Sequence, residues 1–414
     1  MRMNDWKEYN LTEVCDTISD TYRDSAEKVV LINTSDVLEG NVTNHELVPN
    51  KNLAGQFKKK FQKDDILYSE IRPANRRYAY VDFEPKDYIA STKLMVLRSK
   101  PCILPKYLYY LLTNNSTIRT LHAIAVGRSG TFPQITFSEL ANIKFQLPSL
   151  EEQEEILSTL LYFDNKIAIN RSICENLEAQ AQALFKHWFI DFAPFKDGRF
   201  VESDLGMIPE ELIFKRIEEI PHTLETGRRP AGGVKGINSG VPSIGAENIK
   251  GLGCYDFSKT KYISKEYAAS MKKGKINGYE LLIYKDGGKP GYFIPNFAIF
   301  GEGYPYDEMC LNEHVFKLDF GNKGYSLFAY FFFKTKPIMS YLNAQGAKAA
   351  IPGINSKDID AIMMPSLENE CVKNYCNKVE DIITQILVLS KESARLSTLR
   401  DTLLPRLMSG ELKI

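Results

Sequence analysis

The chain has 414 residues, 44% hydrophobic and 25% charged, and its 52 basic residues balance its 52 acidic ones. That length predicts two or three domains of an ordinary water-soluble globular kind. The composition excludes a membrane span, because no apolar run reaches about 18 residues, and the opening MRMNDWKEYN lacks the apolar core of a signal peptide. Seven dispersed cysteines without a Cys-x-x-Cys exclude a disulfide frame and a zinc knuckle, and fit a reducing cytoplasm.

The zero net charge hides an uneven distribution. Residues 1–147 and 207–363 each hold a small excess of Lys and Arg, whereas residues 148–206 hold eleven acidic residues against five basic ones. A polyanion would meet the two basic blocks, and the acidic segment would face protein.

In chain order, the first block (1–147) contains short strand-like runs such as RRYAYVDF (76–83) and KLMVLR (93–98), separated by turn residues. An aromatic segment of helix length follows, PKYLYYLLTNNSTIRTL (105–121), and leads to a Gly-containing loop. Pro148 and Ser149 then announce a long helix, with Ser149 and Glu152 spaced as a capping box. Its apolar seam runs Ile156, Leu160, Phe163, Ile167, Asn170, Cys174, Leu177, Ala181, Leu184 and Trp188, alternating steps of four and three. Pro194 stops it, and residues 194–206 form a linker. The first helix is assigned to residues 148–193.

The second block (207–363) has strand-like runs ELLIY (280–284) and HVFKLDF (314–320), then the aromatic segment YSLFAYFFFKTKPIMSYL (325–342). Residues 364–414 form the second long helix. Its seam runs Val372, Tyr375, Val379, Ile382, Ile386, Leu389, Ser393, Leu396, Arg400 and Leu403. Asn369 stands where a glutamate would complete the capping box, and Pro405 ends or kinks the helix shortly before Gly410.

The two halves are one pattern written twice. A shift of 219 residues sets Gly127 on Gly346, Pro133 on Pro352, Ile135 on Ile354 and Leu140 on Ile359. The Pro-Ser-Leu-Glu run at 148–151 repeats at 365–368, and KDDILYSEIRP (63–73) echoes GYELLIYKDGG (278–288). A heptad seam cannot stay in water, so two seams in one chain are expected to bury each other. About 40 residues at a 1.5 Å rise give a rod of roughly 60 Å. Asn170 on this seam is either a register-setting polar pair or a locally solvated end. The expected fold is mixed α/β: two α+β domains separated by two long antiparallel helices, with an internal pseudo-two-fold repeat.

No motif for catalysis emerges. A phosphate-binding Gly-x-x-x-x-Gly-Lys-Ser/Thr, a Gly-x-Gly-x-x-Gly and a His-Glu-x-x-His are all missing, and the five histidines have no metal spacing. His187, beside Trp188, reads as packed or half-exposed, and the carboxylates and lysine of DFEPK (82–86) do not recur in the second block. What remains is a set of basic, Gly-punctuated loops: EIRPANRR (70–77) and VGRSGT (126–131) in the first block, then TGRRPAGG (226–233), KDGGKPG (285–291) and AQGAKAA (344–350) in the second. Glycine lets backbone approach a phosphate, and arginine offers a planar fork for phosphate or for guanine O6 and N7. The candidate DNA-contacting residues are Arg72, Arg76, Arg77, Arg128, Ser129, Arg228, Arg229, Lys285, Lys289 and Lys348; Arg128 and Lys348 fall at equivalent places. The bland reading of these loops is a solvated surface.

LPSLEEQ (147–153) ahead of a long helix that ends LFKHWFIDF (184–192), a second block opening on Ile-Pro-Glu (208–210) and Gly-Arg-Arg-Pro (227–230), and the closing LRDTLLPRLMSGEL (399–412) together resemble the DNA-specificity subunits of type I restriction-modification systems. The resemblance spans the whole chain and is sharpest in the helices. The second block has ELIF (211–214) where an opening Trp is usual, and the first has Trp6 but no clear Gly-x-x-Pro loop. The resemblance implies two target-recognition domains, each reading one half of a split double-stranded DNA site, with the helices as spacer and as dock for two methyltransferase subunits. It implies further restriction and translocase subunits, and it puts S-adenosylmethionine, ATP and magnesium in those partners, leaving this chain non-catalytic and without a cofactor. The competing expectation is a coiled-coil scaffold that binds proteins and no specific DNA. An enzyme with an unfamiliar site is the third.

Overall fold

The computed structural model describes residues 6–51, 53, 55–128, 133–203, 206–287, 291–348 and 351–413. The chain divides into two compact units, one made of residues up to Lys166 together with those from Leu396 onward, the other of the continuous stretch between them.

The first unit is built on two four-stranded sheets. One runs Cys15–Ile18, Leu94–Ser99, Ile66–Ser69, Tyr78–Tyr80, all antiparallel. The other runs Leu47–Pro49, Lys28–Ile32, Tyr88–Ser91, Phe57–Lys59, with Lys28–Ile32 and Tyr88–Ser91 parallel. The central strands read as unbroken apolar runs because both of their faces are covered. Successive side chains point to opposite faces. Ile66, Tyr68, Met95 and Leu97 therefore pack toward the helix Pro105–Thr113, while Leu67, Leu94 and Val96 pack against Val30, Ile32 and Ala90.

The second unit repeats this strand for strand. Thr223–Thr226, Val315–Asp319, Leu281–Tyr284 and Phe297–Ala298 form one sheet, and Lys261–Ile263, Val241–Ile244, Met309–Leu311 and Lys275–Ile276 the other. The parallel pair recurs as Val241–Ile244 with Met309–Leu311. Facing alternates as before: Leu281 and Ile283 enter one core, and Leu282 with Val315 the other. In both units a two-stranded ribbon joins the start of the block to its last strand, Lys7–Asn10 with Lys144–Leu147 and Phe214–Arg216 with Met363–Pro365.

Each unit also holds a buried ion pair on an equivalent carboxylate, Asp65 or Glu280, which no sequence motif announced; the cation comes from a different position in each, since Lys317 stands where the first unit has Val96. In the first, the fully buried Asp65 takes both the Nε and Nη2 of Arg98 at 2.7 Å and caps the Gln62 amide. In the second, the buried Lys317 lies 2.9 Å from Glu225 and 3.8 Å from Glu280, whose carboxylate accepts from the Asn277 and Gly278 amides. Asp65, Glu280 and Lys317 thus all have partners, without which their burial would cost several kcal/mol.

The expected helices are present as Leu150–Phe189 and Glu370–Met408. Each unit contains a part of both. In the second unit Asn170 bonds Glu392 and Ser393, Cys174 the Ile386 carbonyl, and the Ala181 carbonyl Tyr375. Partner numbers fall as residue numbers rise, so the segments are antiparallel. In the first unit Ile156, Leu157 and Leu160 share a core with Leu404, Leu407 and Met408, and Arg400 pairs with Asp164. All the expected seam residues are buried or half-buried: Ile156, Leu160, Asn170, Val379 and Ile386 fully, Phe163, Ile167, Leu177, Leu184, Ile382, Leu389, Leu396 and Leu403 in part. Full burial of a leucine or phenylalanine is worth about 1.5–3 kcal/mol, so the stripe is a main support of each unit. Asn170 is fully buried and bonded across the seam, not a solvated end.

Four local expectations are corrected. The aromatic segments are two helices each, not one. In the first unit Pro105–Thr113 and Asn115–Arg128 meet at Asn114, whose side chain bonds the Leu111 carbonyl and the Thr117 amide; in the second, Lys323–Phe333 and Lys336–Gly346 meet at Thr335. The helix Glu370–Met408 passes through Pro405 and closes at Gly410, where φ is +72°. Asn369 is not a failed capping box; its Oδ1 accepts the Cys371 amide and caps the helix itself. The stretch 194–206 is not a plain linker: it holds the turn Ala193–Phe195, with Phe195 in the second core, and the strand Phe200–Ser203, which pairs with Gly206–Pro209.

Candidate nucleic-acid interface

Two loops predicted separately from sequence are joined by backbone in both units, and in the same way. In the first unit the loop after Ile66–Ser69 meets the loop after the helix Asn115–Arg128. The Ile135 amide donates to the Glu70 carbonyl at 2.8 Å and the Arg72 amide to the Pro133 carbonyl at 3.0 Å. In the second unit the Ile354 amide donates to the Lys285 carbonyl at 2.8 Å and the Gly287 amide to the Pro352 carbonyl at 2.9 Å. A neighbouring turn completes the set, since the Glu70 amide bonds the Lys93 carbonyl and the Lys285 amide bonds the His314 carbonyl. Glu70 and Lys285 are therefore equivalent, as are Lys93 and His314, and Arg72 and Gly287.

The candidate cations divide by what they touch. In the first unit, Arg72 and Arg76 flank the short turn Pro73–Asn75 with φ of +47° and +52°. Left-handed backbone costs a bulky residue roughly 1–2 kcal/mol and persists where the surroundings hold it. The Arg76 guanidinium donates to Asn115 at 2.6 Å, tying the first loop to the start of the helix Asn115–Arg128. Arg77 donates to the Ser35 and Val37 carbonyls. Arg128, exposed at its helix end, pairs with Glu139 at 2.8 Å. Burial pushes the Glu139 carboxyl up, but the Thr136 amide and hydroxyl and the Arg128 guanidinium together outweigh it and hold the carboxyl below its ordinary range.

In the second unit Arg229 pairs with Glu313, and Lys285 reaches the Glu313 carbonyl at 3.2 Å and stands 5.3 Å over the Phe316 ring. Arg228 is exposed, lies over Tyr267 and donates to Ser270. Lys348 is exposed and bonded to Gln345. The structure thus brings Arg229 and Lys285 together at one turn. Ser129 and Lys289 lie outside the described residues.

Sequence reasoning, which followed basic residues, missed the anions of the site. Glu139, Glu313 and Asp286 orient the cations, and His314 bridges Asp286 and Glu313. The repeat alignment already sets Glu70 against Lys285, and that sign reversal was the signal available. Among the described residues no group of three or more His, Cys, Asp or Glu could hold a metal, and no helix is long and apolar enough to cross a membrane.

The two loops that meet are basic and present once per unit. Residues 3–179 match the family described as type I restriction modification DNA specificity domain. The chain is 32% identical over 465 residues to the type I restriction enzyme HindI specificity subunit of Haemophilus influenzae, with 99% of this chain and 100% of that protein covered. It is 27% identical to the MjaIX specificity subunit of Methanocaldococcus jannaschii, covering 86% of this chain and 79% of the relative. Among solved structures, the S subunit of a type I restriction-modification system from M. genitalium aligns over 99% of this chain and 98% of that one, with a TM-score of 0.51 at 16% identity, a likeness of fold.

Proposed function

The chain belongs to the specificity subunits of type I restriction enzymes, and from that premise we propose that each of its two units reads one half of a split duplex site through its joined loop pair. The chain is the DNA-recognition subunit, and the chemistry belongs to other subunits. The observation that carries the two-part reading is the loop pair itself: one hydrogen-bonded frame, present in both units, presenting different side chains. Arg72, Arg76 and Arg128 serve the first half-site, and Arg228, Arg229, Lys285 and Lys348 the second. Arg77 supports the frame. Ser129 and Lys289 belong to the same loops by sequence.

The long helices set the unread gap between half-sites. At roughly 60 Å of helix the reach exceeds one turn of duplex, about 34–36 Å. Their outward apolar positions, Tyr162 and Leu399 in the first unit and Ile169 and Val388 in the second, are where two methyltransferase subunits dock. Those partners bring S-adenosylmethionine, and the restriction subunits bring ATP and magnesium.

Methylation mapping of cells that carry this chain with its methyltransferase tests the reading, and a split motif of fixed gap is the expected result. Inserting four residues into both long helices should change the gap and leave both half-motifs intact. A continuous motif, or an unchanged gap, rejects it. A protein-binding scaffold instead predicts weak duplex binding without a steep dependence on salt.

A further inference from the structure

The turn after Met309–Leu311 carries Glu313 at a position with a defined counterpart. His314 is equivalent to Lys93 through the matching amide bonds from Lys285 and Glu70, so Glu313 is equivalent to Thr92. The turn frame is shared as well: the His314 amide bonds Asn312 Oδ1, and the Lys93 amide bonds Ser91 Oγ. The first unit has no carboxylate at this place. In the second unit the Glu313 carboxylate lies 2.9 and 3.0 Å from Arg229 Nε. His314 Nε2 stands 3.3 Å from Glu313 Oε1, and His314 Nδ1 bonds Asp286.

The chemistry of this arrangement is directional. Glu313 takes the Nε edge of the guanidinium. The two terminal nitrogens of Arg229 have no hydrogen-bond acceptor among the described residues. Those terminal nitrogens form the fork that pairs with guanine O6 and N7. The same carboxylate adds a negative charge beside the site, which opposes an indiscriminate approach to phosphate.

We propose that Glu313 is a positioning residue of the second unit: it fixes Arg229 with its terminal fork aimed at a base edge and keeps that arginine from acting as a plain phosphate contact. This rests on the reading of the chain as a two-part DNA reader.

The test uses the full chain in complex with its methyltransferase, titrated with a duplex bearing the mapped motif and with a scrambled duplex of equal length, across a range of salt. Glu313→Gln should bind the scrambled duplex more tightly and steepen the log–log salt slope by about one. It should cut the preference for the mapped duplex by about tenfold. The lost discrimination should concern base changes in one half-site only. Arg229→Ala should lose the same preference with a shallower slope, and the double variant should lose no more preference than Arg229→Ala alone. A Glu313→Gln variant with unchanged preference and slope, whether or not its melting temperature falls, overturns the proposal while the DNA-reading function stands. An additive double variant overturns it as well. If the unsubstituted complex shows no preference for the mapped duplex, the functional reading itself falls and takes the proposal with it.

Discussion

Glu70 in the first unit and Lys285 in the second occupy the same backbone position and carry opposite charges. Around them the two units share strand order, strand direction and individual amide bonds. The cores differ in a milder way: the same strand faces are apolar and the equivalent carboxylates Asp65 and Glu280 are both buried, but Asp65 pairs with Arg98 whereas Glu280 shares with Glu225 the cation of Lys317, which stands where the first unit has Val96. A duplicated scaffold thus holds its frame through backbone bonds, which no side-chain change removes, and varies where side chains leave the frame. That is the arrangement needed for two different half-sites on one architecture.

The largest expected effect tests whether the buried pairs do equal work. Asp65→Ala should lower the unfolding free energy of the first unit by about 3–5 kcal/mol, because Arg98 is left without its partner. Lys317→Met should act comparably on the second. Urea unfolding should show each variant shifting a different transition; a common shift would mean that the units do not fold separately. Next come the reading surfaces. Arg128→Ala and Arg229→Ala should each weaken binding to the mapped duplex by about 1–3 kcal/mol, and base changes in opposite half-sites should become tolerated. Sensitivity of both variants to one half-site would break the assignment.

A smaller effect concerns acid. Burial raises the Glu225 carboxyl, but its bonds to Lys317 and the Gly274 amide outweigh this and hold it below the usual 4.5. A carboxyl with a depressed folded value gives stability that is present above its unfolded value and is lost as the pH falls through the folded one. The stability difference between the unsubstituted chain and Glu225→Gln should therefore narrow below about pH 4.5. Glu280, pushed up by burial, works in the opposite sense. The smallest effect is at the thiols. Burial pushes Cys15 and Cys376 up to about 12, so at pH 8 a thiol reagent should label the exposed Cys102 and reach these two only in denaturant.

The periodic parts of this architecture were open to sequence reasoning. The seam positions, the repeat and the central strands follow from spacing alone, because burial on a helix or strand face imposes a period. Asn170 was legible as a seam residue, but its bonds to Glu392 and Ser393 needed the antiparallel register. The breaks at Asn114 and Thr335 were hidden inside apolar segments, since one capping side chain outweighs no hydrophobic pattern when read linearly. At the interface, the basic loops were visible as composition. Their joining was not, because it depends on backbone amides that carry no residue signature. Glu313 and Asp286 were passed over because a search for cations discards the anions that aim them.

The first unit is assembled from both ends of the chain. Leu404, Leu407 and Met408 enter its core, and Gly410 lies against Trp6, where even a β-carbon would sit 3.4 Å from the indole. The second unit is one continuous stretch. During synthesis the earlier-made unit must therefore wait for the residues that follow Arg395, while its successor needs nothing beyond its own stretch. A nonsense codon near residue 396 would strike the amino-terminal reader rather than the neighbouring one, leaving a truncated product able to grip only half a sentence of DNA.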